Sequence, residues 1–231
     1  MSEGGRHLDV QRRALRDQVH DRILADLLLG TVQPGERLSI DTLARELDVS
    51  PTPVREALVQ LERTGLVTRE ALKGYRVAPP LDAEQLTELF EARMMLEERA
   101  AALAASQAEA LLPALRAAHE VHEAASHDVV RAHAAGEVPL EVTQRYFEAD
   151  GAFHAVILDH SGNRYLQEMH ASLGALTHRL RQAALRGPSD VIEALAEHRA
   201  IVEAYAAAPE AAGEAMRAHV ANVRDRSLSG R

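Results

Sequence analysis

Asp150 and His154 stand four residues apart in EADGAFHAVI, one helical turn, so both side chains project from one face at a spacing that suits two ligands of one cation. His198 and His219 follow on two later helical segments. A carboxylate with three imidazoles is a hard-to-borderline donor set, compatible with Zn, Ni, Mn or Fe, and the chain has no cysteine to offer a thiolate instead. Such a set leaves positions open for water or an oxyanion. Ten of the 12 histidines lie beyond residue 80, so several must be ordinary; His119, His122, His127 and His133 are read as such surface or core residues. Arg93 is a separate candidate, because a guanidinium turned inward needs an anion, either a ligand carboxylate or Glu97 one turn along. His178 and Arg181 are further pocket candidates. Asn163, after Ser161-Gly162, reads as a helix cap.

A second constellation lies near the N-terminus. Ser50, Thr52 and Arg55 place two hydroxyls and a guanidinium at the start of a short helix, the groups that contact phosphates and read guanine edges. Arg55 is the best base reader, Arg45 on the preceding helix is a candidate phosphate contact, and Lys73 with Gly74 marks a turn that can carry a cation to the nucleic-acid backbone or the minor groove. Without the surrounding pattern these residues would be solvated groups around the small apolar core of Leu43, Ala44, Val54, Ala57, Leu58 and Leu61.

The elements that must hold these groups are legible in the punctuation. Apolar residues recur at helical spacing from Asp9 to Leu29, with Gly30 as a C-cap. Pro34-Gly35 turns the chain, Ser39 caps a short helix, and Ser50-Pro51 starts another that runs to about Arg63. Leu66 to Arg69 and Tyr75 to Ala78 read as two strands around Lys73-Gly74, and Pro79-Pro80 closes the unit. Beyond it the pattern is alanine-rich and helical, with spans expected at 82–105, 109–135, 140–160, 163–186, 190–207 and 209–226. The fold class expected is mainly α: a winged helix-turn-helix of three helices and a two-stranded wing over 1–80, then an all-α six-helix bundle over 81–231 for ligand binding and dimerisation.

Charge divides along the same boundary. Residues 1–80 hold 12 Lys and Arg against 12 Asp and Glu, so the whole net charge of −9 belongs to residues 81–231. A neutral half can bind a phosphate backbone if its cations share a face, whereas the acidic half is a poor nucleic-acid surface. No apolar run approaches the ~20 residues needed to span a bilayer, and the start MSEGGRHLDVQRR is polar rather than signal-like. The expectation is a cytoplasmic protein with no membrane partner.

The stretch PGERLSIDTLARELDVSPTPVREALVQLERTGLV followed by KGYRV resembles the GntR family of transcription regulators over roughly residues 14–80. LTELFEARMMLEERAAALAA, EADGAFHAVI, SGN, EHRAIVEAY and MRAHV, in that order, resemble the FCD effector domain of its FadR-type branch over 81–226. The resemblance implies DNA contacts at Ser50, Thr52, Arg55, Lys73 and Gly74, and metal ligands at Asp150, His154, His198 and His219. It implies a homodimeric regulator, commonly a repressor, that reads a pseudo-palindromic operator in double-stranded DNA and answers to a small carboxylate or sugar acid. Two alternatives stay open on the residues alone: an enzyme using an open Asp/His metal site, and a sensor for which the ion is the signal.

Overall fold

The computed structural model describes residues 3–28, 31–63, 65–70, 74–173 and 187–229. They divide into two compact units, Met1–Pro80 and Leu81–Arg231. No helix among the described residues is long and apolar enough to cross a membrane.

In the first unit α1 (Glu3–Leu28), α2 (Ile40–Glu46) and α3 (Pro51–Arg63) surround one core. Ser39 caps α2, its hydroxyl accepting the Thr42 N–H at 3.3 Å. Asp48 takes the left-handed conformation, φ 52°, in the tight turn before α3. The apolar face of α3 is Val54, Ala57, Leu58 and Leu61, all fully buried against Val19, Ile23 and Leu27 of α1. The wing strands are β2 (Val67–Glu70) and β3 (Gly74–Val77), joined in a three-stranded antiparallel sheet, order β1-β3-β2, by β1 (Arg37–Leu38). β1 was not anticipated, because two residues carry no alternation to read; its register sets Arg37 opposite Arg76 and Leu38 opposite Tyr75.

Among the described residues the second unit is helical: α4 (Ala83–Ala104), α5 (Ala108–Ala134), α6 (Leu140–His160), α7 (described over 164–173), α8 (Pro188–Ala207) and α9 (Ala212–Ser229). Asp82 and Gln85 form a capping box at the start of α4, and the Asn163 side chain accepts the N–H groups of Tyr165 and Leu166 at the start of α7. Single 3-10 turns at Ala105–Gln107 and Pro209–Ala211 make the corners where continuous breaks were expected. The expected last helix over 209–226 accordingly starts at Ala212 and runs on to Ser229. α4 lies along α9, and α5 lies between α6 and α8. The approach of α4 and α9 is close at Gly213, where a Cβ would stand 3.2 Å from Ala102 Cβ and 3.3 Å from the Glu98 carbonyl oxygen. Two apolar clusters fill the unit: a large one containing Phe153, Ile157 and Ile201, and a small one of Val129, Tyr146 and Val191.

Candidate functional site

The boundary between those two clusters is polar. α6 brings Asp150 and His154, α8 brings His198 and α9 brings His219, and the three histidines are almost wholly buried. His198 stacks flat on Phe153 with ring centroids 4.0 Å apart, and its Nε2 stands 3.3 Å from Nε2 of His219 and 3.7 Å from Asp150 Oδ1. His154 Nε2 lies 3.9 Å from the same Asp150 oxygen and makes no hydrogen bond. The structure therefore brings together Asp150 and His154, paired by their spacing, with His198 and His219, which the resemblance added. Donor atoms of His154, His198 and His219 all fall within 4.8 Å of one another, near enough to hold one metal ion.

Two carboxylates stand behind the imidazoles. Glu197 Oε2 is 2.8 Å from His219 Nδ1, which donates to it, leaving the Nε2 lone pair turned inward. Glu97 Oε2 is 2.8 Å from His154 Nδ1, an ion-pair distance off the line of an ideal hydrogen bond. Arg226 grips Glu197 through two nitrogens at 2.6 and 3.0 Å. Burial opposes ionisation of Glu197, but the bonds from His219 and Arg226 outweigh it and hold this carboxyl down to about 2. Burial likewise opposes ionisation of Glu97, and the charge of Arg93 with the contacts from His154 and His170 keeps it well below the usual carboxylate range. Burial, reinforced by the neighbouring imidazoles, pushes His198 well below the ordinary histidine value; it also lowers His219, against the pull of Glu197. Metal ligation needs imidazole in this neutral form.

Arg93, which sequence left between a ligand carboxylate and Glu97, donates from Nε to Glu97 Oε1 at 2.8 Å. His170 of α7 joins the same carboxylate at 3.3 Å. His178, Arg181 and Lys73 lie outside the described residues. Ser50, Thr52 and Arg55 are exposed at the start of α3, Arg45 is exposed on α2 with its Nε on the Asp41 carbonyl, and Gly74 opens β3 with φ 91° and free space around its Cα.

Sequence reasoning missed His122. It was grouped with ordinary histidines, yet it is wholly buried on α5, its ring 4.7 Å from His198 and 5.0 Å from Tyr146. The signal was available in its place on the buried stripe Leu111, Leu115, His122, Ser126, Val129. Burial lowers His122 to about 4, with Asp150 pulling upward and the other imidazoles downward. In the metal-free protein the unfolded chain binds a proton at this residue near pH 6.5 while the folded chain resists until about pH 4, so folding stability falls as pH falls through that window. The expected slope is about 1.4 kcal/mol per pH unit for each such histidine. Urea unfolding at pH 7.5, 6 and 5 after chelation reads it; a flat profile would mean these rings are solvated.

Residues 15–77 match the family model of bacterial regulatory proteins, gntR family, and residues 88–222 match that of the FCD domain. The transcriptional repressor GlaR of Escherichia coli K12 is 31% identical over 84% of this chain and 87% of its own length. The regulator LutR of Bacillus subtilis 168 is 31% identical over 87% of this chain and 95% of its own. Among solved structures, E. coli McbR/YncC matches with a TM-score of 0.67 at 23% identity, covering 93% of this chain and 95% of that one, a likeness of fold. With both units matched and relatives aligned along most of their length, the chain belongs to the GntR family as a regulator carrying an FCD domain: a DNA-binding transcriptional regulator and not an enzyme.

Proposed function

We propose that this regulator is ligand-responsive, with a metal ion held by Asp150, His154, His198 and His219 and a small carboxylate or sugar-acid effector seated on the ion. The observation that carries the reading is the convergence of these four side chains from three helices. His219 turns its Nε2 inward to His198 Nε2 at 3.3 Å with its Nδ1 committed to Glu197, and His154 Nε2 is buried without a hydrogen bond. Bound there, the ion would supply Lewis acidity to grip an effector oxygen. An effector that changes the packing of α6, α8 and α9 then changes DNA affinity, and by linkage DNA changes effector affinity by the same factor. The name of GlaR supports repression as the sign of control.

The test is a metal analysis of protein purified without chelator or affinity-column metal, followed by operator titrations with organic acids and, separately, with metal salts. Metal-bound protein that releases operator on addition of an acid supports the reading; release by the ion alone makes the protein a metal sensor. Metal-free protein that still answers an organic acid would refute the role given to the histidines.

On the DNA side, Arg55 reads a base edge, Ser50, Thr52, Arg45, Lys73 and Gly74 contact the backbone, and two protomers joined through the helical unit read a pseudo-palindrome in the cytoplasm. Arg55→Ala is expected to cost about 1–3 kcal/mol of operator affinity and to relax base preference, whereas Lys73→Ala weakens all sequences alike and lowers the salt slope by about one. Binding to operator and to a scrambled duplex at several salt concentrations separates the two; unchanged discrimination in Arg55→Ala rules out the assignment of α3 as reader. Light scattering at micromolar concentration should give the dimer mass, and a monomer with full operator affinity would contradict the two-fold reading.

A further inference from the structure

We propose that His122 is a fifth protein ligand of the same ion, an inference that rests on the metal reading above. Both ring nitrogens of His122 are buried without a hydrogen-bond partner. A buried imidazole with nothing to bind costs free energy that a leucine or phenylalanine on the same apolar stripe of α5 would not. The cost is repaid if the ring has a ligand to meet, and the geometry supplies one. Donor atoms of His122, Asp150 and His198 lie within 4.8 Å of one another, forming a second triad that shares His198 with the triad of His154, His198 and His219. Asp150 Oδ1 faces both halves, 3.7 Å from His198 Nε2 and 3.9 Å from His154 Nε2.

The overlap decides the number of ions. Asp150 and His219 both face His198 through Nε2, and one nitrogen lone pair serves one metal. Opposite donors around an ion with bonds near 2.1 Å stand about 4.2 Å apart, so donors within 4.8 Å of one another lie near the span of one coordination sphere, and the shared His198 directs the second triad onto the ion of the first. The completed set has four imidazole nitrogens and one carboxylate oxygen. It favours a six-coordinate ion over tetrahedral Zn, and it leaves one open position in place of two. The effector then meets the ion through a single oxygen and not as a chelate.

The experiment compares wild type, His122→Phe and, as a control on the same helix, the exposed His127→Ala, titrating Ni2+ against a chromophoric chelator and measuring urea unfolding of each metal-free protein. His122→Phe keeps a ring beside Tyr146 and His198 but removes both nitrogens. Expected are one Ni2+ per chain in wild type, affinity lowered tenfold or more in His122→Phe, no change in His127→Ala, and metal-free stability of His122→Phe equal to or above wild type. His122→Ala gives the same comparison should the larger ring not be accepted. Unchanged Ni2+ affinity in a folded His122 variant overturns the proposal and leaves the four-ligand site standing. Two ions per wild-type chain, one of them lost in His122→Phe, overturns the single-ion geometry. Wild type that takes up no Ni2+ removes the metal reading itself, a result distinct from either.

Discussion

Glu97→Ala is expected to destabilise the helical unit by about 3–5 kcal/mol, because it strands a charge that has no other way into the fold. The Glu97 side chain is 1% exposed and that of its partner Arg93 12%, so Arg93 would keep its charge without its hydrogen-bonded carboxylate and without full hydration, with Asp150 acting on it only through its charge. The pair is not stable for being ionic: removing both charges together restores much of what removing one destroys. Arg93→Leu combined with Glu97→Leu should therefore be more stable than Glu97→Ala alone, while losing the contacts that Glu97 makes with His154 and His170. Urea unfolding of the metal-free proteins gives the comparison. A loss below about 0.5 kcal/mol in Glu97→Ala, the range of an ordinary surface change, would mean that the buried ion pair does not form in solution.

The second large effect belongs to His198→Ala. A ligand that binds only the folded state stabilises it by RT ln(1 + [L]/Kd), about 2.7 kcal/mol at one hundred times Kd. Wild type should gain this much from a bound divalent ion, and His198→Ala less than about 0.4 kcal/mol at the same concentration, since its loss of affinity is expected to exceed the roughly 10–100-fold seen when groups behind a ligand are removed. The effector response should vanish with it, while contacts made by α3 and the wing to non-specific DNA persist. Thermal unfolding with and without metal, alongside an operator titration, reads both outcomes. A His198→Ala protein that still gained stability from metal would remove His198 from the ligand set.

What sequence made legible followed from how each feature is encoded. The turn at Pro34-Gly35, the cap at Ser39, the helix start at Pro51 and the Asp150/His154 spacing are local signals, and the structure realises each near where it was expected. β1 escaped because its two residues become a strand only by pairing with β3. His122 escaped for a related reason: it meets His198 from a position 76 residues away, and its chemistry shows only once α5 lies against α8. Glu97 was read only as a helical partner for Arg93. Its second role, behind His154, needs the approach of α4 to α6.

Gly213 has no chemistry of its own, yet it sets a length. With Ala102 Cβ and the Glu98 carbonyl at 3.2 and 3.3 Å from where a methyl group would stand, any larger residue forces α9 or α4 to give by a few tenths of an ångström. His219 sits six residues along α9, and Glu97 sits on α4 beside Glu98, so this contact acts as a gauge block between two arms of the histidine cluster. On the proposed metal reading, drift at Gly213 would adjust the spacing of the donors without altering any donor itself.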